Sequence, residues 1–352
     1  MKNKKKIKKL YDSSKDGLSS ELYSFEKIKG FCHEKNDTKA YGRFNGKTVI
    51  ITGAKGDFGQ VCSKRMAEEG ANIGFLDILD TESLAIQFKK EYPDQIFHSF
   101  QVDITKEDQA IKISNKIEKK FKRIDHLFNN AGYQGDFSNT LNYAVEDFRK
   151  IIDINVTGAF IMLKTISNIM SKQEPRGGSI VNTASMAGIG ATPNMIAYSA
   201  SKAAVKHMTV IAAKDLAPFD IRVNSISPAY IGPGFMWTRQ VELQAKAGSV
   251  YFSEDPEQVA SQMVNSVPMR RYGSINEVIG PVLFLLSDDA SYLTGIDIKI
   301  KSRDNTGYWT SDSNCGASDG CVDSTISEMG DNVSSTEWKA GVTHDYDNWT
   351  YI

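Results

Sequence analysis

Long apolar runs are absent from this 352-residue sequence. Its lysine-rich start has no apolar stretch of the kind that a signal peptide requires, and no later run reaches the roughly 20 residues that span a bilayer. Cysteine is scarce as well, and the four cysteines form neither a disulfide framework nor a convincing zinc-ligand spacing. The sequence therefore predicts free thiols in a cytoplasmic protein with no metal site and no membrane partner.

A strong net charge is also lacking. The formal charge is −1, with 41% hydrophobic and 24% charged residues, which is typical of a globular protein and gives no indication of nucleic-acid binding. The charge is uneven, because residues 1–10 are lysine-rich and residues 303–352 are acidic and contain three of the four tryptophans. We predict one domain over 44–302, a disordered basic extension over 1–43, and a tail over 303–352 whose tryptophans favour docking on the domain or a partner.

Strand-like and helix-like patterns alternate from residue 47 to residue 300. The predicted strands are 47–52, 72–77, 96–102, 125–128, 178–183, 220–226 and 296–300, and the predicted helices are 58–69, 81–91, 107–122, 145–172, 196–217 and 275–286. Such alternation predicts an α/β fold with a doubly wound parallel sheet, the Rossmann fold, in a single domain. A ligand of this fold binds at the carboxyl ends of the strands.

A glycine-rich turn follows the first strand. The β-branched run Thr48–Thr52 leads into Gly53-Ala-Lys-Gly56-Asp-Phe-Gly59 and then into a helical pattern, an order that lets the backbone approach a pyrophosphate at the helix amino terminus. The next strand ends at Asp77, 24 residues after Gly53. A carboxylate at this position binds the ribose hydroxyls and repels a 2′-phosphate, so NAD is favoured over NADP.

Tyr198 and Lys202 are four residues apart in a predicted helix and therefore share one face. An ammonium beside a phenol favours the ionised form, so Tyr198 is a candidate acid or base near neutral pH. Ser185, thirteen residues upstream, follows a strand and is placed to bind a substrate oxygen. Taken alone, the Tyr-x-x-x-Lys spacing also fits a surface tyrosine near a solvated lysine.

These motifs, in this order, resemble the short-chain dehydrogenase/reductase family from about Gly46 to Ile300. The resemblance rests on the glycine turn, Asp103 in Val-Asp-Ile-Thr, Asn129-Asn-Ala-Gly132, Asn155 in Ile-Asn-Val-Thr-Gly, Ser185, Tyr198 and Lys202. It implies an oxidoreductase acting on CH–OH groups with Asn155, Ser185, Tyr198 and Lys202 as catalytic residues. Asn155 would hold a water that relays protons to solvent. Hydrogen bonding within the fold is the alternative role of Asn129, and for Asn155 it is a role that accompanies the catalytic one.

The family also implies a cofactor groove. Asp103 and Ile104 would border the adenine, Asn129 would help line the groove, and Lys202 would bind the nicotinamide ribose. The implied cofactor-binding residues are Thr52, Gly53, Lys55, Gly56, Asp57, Phe58, Gly59, Asp77, Asp103, Ile104, Asn130, Ala131, Gly132, Tyr198, Lys202, Pro228 and Ile231. The chain departs from the family pattern where Asp57 replaces the middle glycine of the turn, which brings a carboxylate close to the expected pyrophosphate.

A narrower resemblance lies between residues 182 and 275. It includes Ser185–Gly188 and Pro193–Met195 and is strongest after the sixth strand. Tyr230–Trp237, Arg239–Ala245 and Ser266–Gly273 are similar to the xylitol dehydrogenase (D-xylulose reductase) branch, which implies oxidation of a secondary alcohol on a small polyol or reduction of the ketose. Phe235 and Trp237 fit either a hinged lid or the fixed core of a helical flap. The candidate substrate contacts are Met186, Asn194, Tyr133, Gln134, Tyr230, Phe235 and Trp237.

Two other functions stay open. The chain fits a short-chain reductase of another carbonyl compound, such as a 3-oxoacyl carrier-protein substrate or a different sugar. It also fits a non-catalytic NAD-binding interaction protein, although a pure binding module has no use for all four catalytic residues. The family resemblance further implies a homotetramer or homodimer that pairs the helices predicted at 145–172 and 196–217.

Overall fold

The computed structural model describes residues 42–190 and 192–301. The basic extension and the tryptophan-containing tail that the sequence predicts lie outside the described residues, apart from positions 42 and 43. The boundaries of the domain at 44 and 302 stay predictions.

Seven parallel strands form one sheet within the described residues, in the order β3-β2-β1-β4-β5-β6-β7. The strands are β1 (Thr48–Thr52), β2 (Asn72–Asp77), β3 (Phe97–Gln101), β4 (His126–Asn129), β5 (Gly178–Thr183), β6 (Ile221–Pro228) and β7 (Asp297–Ile300). The predicted doubly wound sheet is confirmed. The strand order reverses between β1 and β4, and a crevice at such a switch point is where this fold binds ligands.

The α-helices of the described part of the chain are α1 (Asp57–Glu68), α2 (Glu82–Glu91), α3 (Glu107–Phe121), α4 (Val145–Ile152), α5 (Ala159–Met170), α6 (Ile196–Leu216), α7 (Phe235–Lys246), α8 (Pro256–Asn265) and α9 (Ile275–Leu286). A π-helical turn, Asp153–Gly158, joins α4 to α5. None of the described helices is long and apolar enough to cross a membrane.

The core consists of two layers, one on each face of the sheet. Because side chains alternate along a strand, Val49 and Ile51 of β1 face one layer with α1, α2 and α9, whereas Ile50 faces the other with α3, α5 and α6. All five residues of β1 are buried, as expected of a central parallel strand covered on both faces. Among the described residues, Cys62 of α1 is a free thiol buried in the first layer.

Two sequence predictions differ from the structure. The helix predicted over 145–172 is divided by the π-helical turn, because the backbone there departs from α-helical hydrogen bonding at Asn155. Helices α7 and α8, inserted between β6 and α9, were missing from the predicted order. They pack on each other around Trp237, Val241, Val259 and Met263 in a separate apolar cluster.

Candidate active site

Two glycines of the turn between β1 and α1 are packed so closely that neither position has room for a side chain. Gly53 has a positive φ of +65°, and a Cβ atom there would lie 3.0 Å from the Cα of Ala131. A Cβ on Gly59 would lie only 2.3 Å from the Gly53 carbonyl oxygen. The turn therefore leaves its backbone accessible at the amino terminus of α1, which fits the diphosphate of a dinucleotide.

Asp77 lies at the carboxyl end of β2, beside this turn, as predicted. Its two carboxylate oxygens accept hydrogen bonds from the backbone N–H groups of Lys55 and Leu79, each at 3.0 Å. A carboxylate has about four lone-pair positions, so both oxygens retain capacity for a further donor such as a ribose hydroxyl. The two backbone contacts fix the carboxylate in place for that task.

The loop after β4 is tied to the glycine turn through Thr52. Its hydroxyl oxygen accepts hydrogen bonds from the backbone of Asn130 at 2.9 Å and Ala131 at 3.0 Å. Asn129 is buried and donates to the Ala159 carbonyl oxygen and the Asn182 side chain. The structure thus shows Asn129 making hydrogen bonds within the fold, and the place of residues 130–132 in a cofactor groove stays a prediction.

The remaining predicted cofactor residues surround the same edge of the sheet. Asp103 accepts two hydrogen bonds from Thr105 and so shapes the loop after β3, while Ile104 is 8% exposed and packs on Gly158. Lys55 and Gly56 are exposed, Phe58 packs against the first core layer, Pro228 is buried at the end of β6, and Ile231 forms a parallel bridge with Gly273.

Asn155 lies in the π-helical turn and is 1% exposed. Its side chain accepts a hydrogen bond from the Tyr133 backbone at 2.7 Å and donates to the Tyr133 carbonyl oxygen at 2.8 Å and to the Ser201 hydroxyl at 3.0 Å. Both of its N–H donors are therefore used to join the 132–133 loop to α6. A relay water at Asn155 would have to bind through the remaining acceptors, namely the side-chain oxygen or the backbone carbonyls of the turn.

Gly132 brings the catalytic candidates into one place. A Cβ atom on Gly132 would lie 3.3 Å from the Asn155 side-chain oxygen and 3.4 Å from the Lys202 nitrogen. Asn155 and Lys202, 47 positions apart in sequence, thus both approach the side of Gly132 on which a side chain would lie. The absence of a side chain keeps this part of the groove open to a ligand that must reach both.

The side chains of Tyr198 and Ser185 lie near each other next to the carboxyl end of β5, close enough for the Ser185 hydroxyl to influence the pKa of the phenol. Burial raises the pKa of Tyr198, and the Ser185 hydroxyl opposes this only in part. The direction is opposite to the sequence prediction of a lowered pKa. The reason is desolvation of the phenol on burial; the ammonium group of Lys202 lies 5.7 Å from the centre of the Tyr198 ring.

Ser185 occupies the position expected of a group that holds the substrate oxygen. Its hydroxyl accepts a hydrogen bond from the Ala187 backbone at 3.1 Å and lies 3.5 Å from the Pro228 carbonyl oxygen. Met186 begins the 3₁₀ turn that follows. Ser185 caps this turn through the hydrogen bond from Ala187.

The two aromatic residues of the substrate loop that the sequence predicts as substrate contacts differ in burial. Trp237 is 4% exposed and packs against Tyr272 at 5.2 Å and Tyr230 at 6.1 Å between ring centroids, whereas Phe235 is 73% exposed. Trp237 therefore belongs to the fixed core of a helical flap, which is one of the two roles that the sequence allowed. Of the two aromatic residues, only Phe235 has an exposed surface with which to contact a ligand. Tyr230 connects this cluster to the end of β6.

A row of polar residues on α7 was missing from the predicted site. Gln240 accepts a hydrogen bond from Gln134 at 3.2 Å, and Gln244 accepts one from Asn194 at 2.8 Å. Arg239 donates to the Gly135 carbonyl oxygen at 2.8 Å and lies over the ring of Tyr133. Gln240 and Gln244 are four residues apart, a spacing that would have placed them on one face had this segment been identified as a helix.

Comparison with known proteins identifies the family. A family model described as enoyl-(acyl carrier protein) reductase matches residues 53–302, which include the glycine turn and all four catalytic candidates. The chain belongs to the short-chain dehydrogenase/reductase family. It is an oxidoreductase of the type that acts on CH–OH groups, and its parallel seven-stranded sheet is the fold of the solved relatives.

Three relatives illustrate the range of the family. A crystal structure of NAD⁺-bound xylitol dehydrogenase is 49% identical, with a TM-score of 0.70, covering 74% of this chain and 99% of that one. Levodione reductase of Leifsonia aquatica is 32% identical over 76% of this chain and 97% of its own length. NAD-dependent glycerol dehydrogenase of Listeria innocua is 34% identical over 78% and 96%.

Proposed function

We propose that this short-chain dehydrogenase/reductase interconverts a secondary alcohol of a small polyol and the corresponding ketone, of the xylitol/D-xylulose type, with NAD as its cofactor. One observation carries the proposal: Tyr198, Ser185 and Lys202 converge beside the carboxyl end of β5 in a chain that is 49% identical to a xylitol dehydrogenase. The convergence supports the reaction type, and the identity supports the substrate class.

The chemistry is a hydride transfer coupled to a proton transfer. A bound oxidised nicotinamide supplies the acceptor for the hydride that leaves the carbinol carbon. Tyr198 removes the hydroxyl proton as the hydride departs and returns it when the ketone is reduced. Ser185 holds the reacting oxygen beside Tyr198, and Lys202, next to Asn155 and Gly132, passes the proton onward to solvent. The alcohol thus loses a hydride and a proton and becomes the ketone.

The raised pKa of Tyr198 affects the two directions differently. A tyrosine that keeps its proton at neutral pH is ready to donate it to a ketone, whereas alcohol oxidation requires the phenolate. We therefore expect reduction to be favoured at neutral pH, and oxidation to become faster as the pH rises and the phenolate fraction grows.

NAD is the expected cofactor because Asp77 carries a fixed negative charge at the end of β2. The cited comparison proteins support this choice, since one is described as NAD⁺-bound and another as NAD-dependent. The carboxylate would accept hydrogen bonds from the two ribose hydroxyls, while a 2′-phosphate at this point would meet like charge. Thr52, Gly53 and Gly59 would hold the diphosphate against the start of α1.

Polar groups near the catalytic residues support a hydroxyl-rich substrate. Gln134 and Asn194 are held by Gln240 and Gln244 of α7, and their remaining donors and acceptors are of the kind that bind hydroxyl groups. Tyr133, whose backbone is fixed by Asn155, lies at the same end of the sheet. A polyol needs several such partners, because each hydroxyl that loses water must regain a hydrogen bond.

Reduced-nicotinamide absorbance with purified protein tests the proposal. Each cofactor, NAD or NADP, is assayed with xylitol, sorbitol, arabinitol and simple secondary alcohols. D-xylulose is the substrate for the reverse direction. Turnover with NAD and xylitol is expected. Failure with every polyol and ketose, together with activity on a 3-oxoacyl thioester, would instead assign the chain to carrier-protein substrates, in line with the description of its family model.

Self-association is part of the proposal. Apolar side chains on α5 and α6 remain solvent-exposed in the single chain, including Phe160 at 47% and Ile211 at 46%, and exposed apolar side chains on neighbouring helices are typical of an interface. We propose a homodimer or homotetramer that pairs these helices in the cytoplasm. Light scattering after size-exclusion chromatography measures the mass, and Phe160→Glu together with Ile211→Glu should give a smaller species.

A further inference from the structure

Asp57 joins the glycine turn to the first residue of α7. Its carboxylate accepts a hydrogen bond from the backbone N–H of Phe235 at 3.2 Å, although the two residues are 178 positions apart. The residue before α7 is Gly234, which has no side chain with which to cap the helix. Asp57 therefore supplies from another element the acceptor that a serine or aspartate normally supplies at a helix start.

Two helix amino termini meet at this carboxylate. Asp57 is the first residue of α1, and its acceptor contact is with the first residue of α7. Each amino terminus carries a partial positive charge, so one negative side chain stabilises both ends. Gly234 is required for the close approach, since a Cβ atom there would lie 2.6 Å from a carboxylate oxygen of Asp57.

The connection links the cofactor side of the site to the substrate side. Further along α7, Gln240 and Gln244 hold Gln134 and Asn194 by hydrogen bonds. A shift of the first turn of α7 would therefore be transmitted along a rigid helix to groups that line the substrate end. Asp57 departs from the family pattern, which has a glycine at this position. The hydrogen bond from Phe235 gives the aspartate a structural role.

We propose that Asp57 is a positioning residue that fastens α7, and with it the substrate loop, to the phosphate turn. The same carboxylate lowers the affinity for the cofactor, because it lies at the amino terminus of α1, where the diphosphate of NAD would bind. The positioning role does not depend on which alcohol is the substrate, whereas the cost in affinity rests on the proposed use of NAD.

Two substitutions separate the hydrogen bond from the charge. Asp57→Asn keeps an acceptor for the Phe235 N–H but removes the charge, and Asp57→Ala removes both. Both variants should bind NAD about fivefold more tightly, as expected from removing a nearby like charge in a partly solvated site. Only Asp57→Ala should loosen α7. Asp94→Asn, an exposed carboxylate after α2, is the matched control and should change neither quantity.

The loosening is measured by hydrogen–deuterium exchange of peptides covering 234–246 in the full-length protein without NAD. We expect exchange in Asp57→Ala to be about fivefold faster than in the unmutated protein, and exchange in Asp57→Asn to match it, because the loss of a helix-capping acceptor typically costs about 1 kcal/mol, which is about a fivefold change. Equal exchange in Asp57→Ala and the parent would overturn the proposal, and so would equal acceleration in both Asp57 variants.

A second substitution tests the same contact from the other side. Gly234→Ala should displace the Asp57 carboxylate and accelerate exchange of α7 in the parent. In the Asp57→Ala background it should add nothing further, because residues in contact give non-additive effects. Fully additive effects would contradict the contact. The exchange measurements need no substrate, so they test the positioning role even if the polyol assignment fails. Unchanged NAD affinity in Asp57→Asn would overturn only the proposed effect of Asp57 on cofactor affinity.

Discussion

The ammonium group of Lys202 donates a hydrogen bond to the carbonyl oxygen of Thr183 over 2.7 Å. Thr183 ends β5, and its hydroxyl in turn donates to Asn130 at 3.2 Å, so the lysine is anchored to the edge of the sheet that forms the cofactor groove. Lys202 is 4% exposed, and burial lowers its pKa to about 8. Burial, rather than the hydrogen bond to Thr183, is what makes the charge of Lys202 sensitive to pH near 8.

Stability should rise with pH through the titration of Lys202. The folded chain loses the proton near pH 8, whereas the unfolded chain keeps it until about pH 10.4. Between these values the unfolded state binds more protons, so the free energy of unfolding increases with pH, by about 3 kcal/mol in total. The Lys202→Met variant should lack this increase when its denaturant unfolding is compared with that of the parent from pH 7 to pH 10.

The control for this comparison is Lys214→Met, an exposed lysine on the same helix α6. Its unfolding free energy should follow that of the parent at every pH. Tyrosines also titrate at the upper end of the range, so the difference between variant and parent is the decisive quantity. A difference that stays constant with pH would show that Lys202 does not titrate near pH 8 in the folded chain.

Replacement of Tyr198 by phenylalanine should abolish the proton transfer while keeping the shape of the site. We expect kcat for alcohol oxidation to fall by about 10²–10⁴-fold, the usual contribution of a general acid or base. The dissociation constant for NAD, measured by fluorescence titration, should change by no more than about twofold. Tyr292→Phe, at a fully exposed tyrosine, should keep parental kcat, and comparable activity in Tyr198→Phe would exclude Tyr198 as the general acid or base.

Asp77→Ser should shift cofactor preference toward NADP. The substitution removes the charge that would repel a 2′-phosphate, so the ratio of kcat/KM for NAD to that for NADP should fall at least about tenfold. Loss of the contacts to Lys55 and Leu79 should lower activity with both cofactors, which is why the ratio is the measured quantity. An unchanged ratio would move the selection to another residue.

Gly59→Ala should damage the phosphate turn. The new Cβ would press on the Gly53 carbonyl oxygen, a backbone atom that cannot move aside without opening the turn. We expect a loss of roughly 1–3 kcal/mol in the free energy of unfolding, as for other overpacked sites, and weaker NAD binding. Gly280→Ala in α9 is the matched control and should retain both stability and binding, because the nearest neighbour of a Cβ there is the end of the Arg65 side chain at 3.9 Å.

The sequence predicted the sheet well because its strands are short, apolar and separated by clear helical patterns. The bounds of β2 and β5 agree with the predicted 72–77 and 178–183. The segment after β6 was harder to interpret, because two glycines and a proline at its start hid the helical period of α7. Trp237 shows the same difficulty, since its burial depends on Tyr230 and Tyr272, and no local pattern distinguishes a core aromatic from a ligand contact.

By itself, the sequence determined the α/β architecture, and it predicted the position of the cofactor groove and the four catalytic candidates. These follow from local periodicity and from motif spacing, which are properties of short stretches of chain. Only the tertiary structure decided how these groups act: that burial raises rather than lowers the pKa of Tyr198, that Lys202 is directed to Thr183, and that Asp57 holds α7. Desolvation and contacts between distant segments arise only when the chain is folded, so no local pattern encodes them.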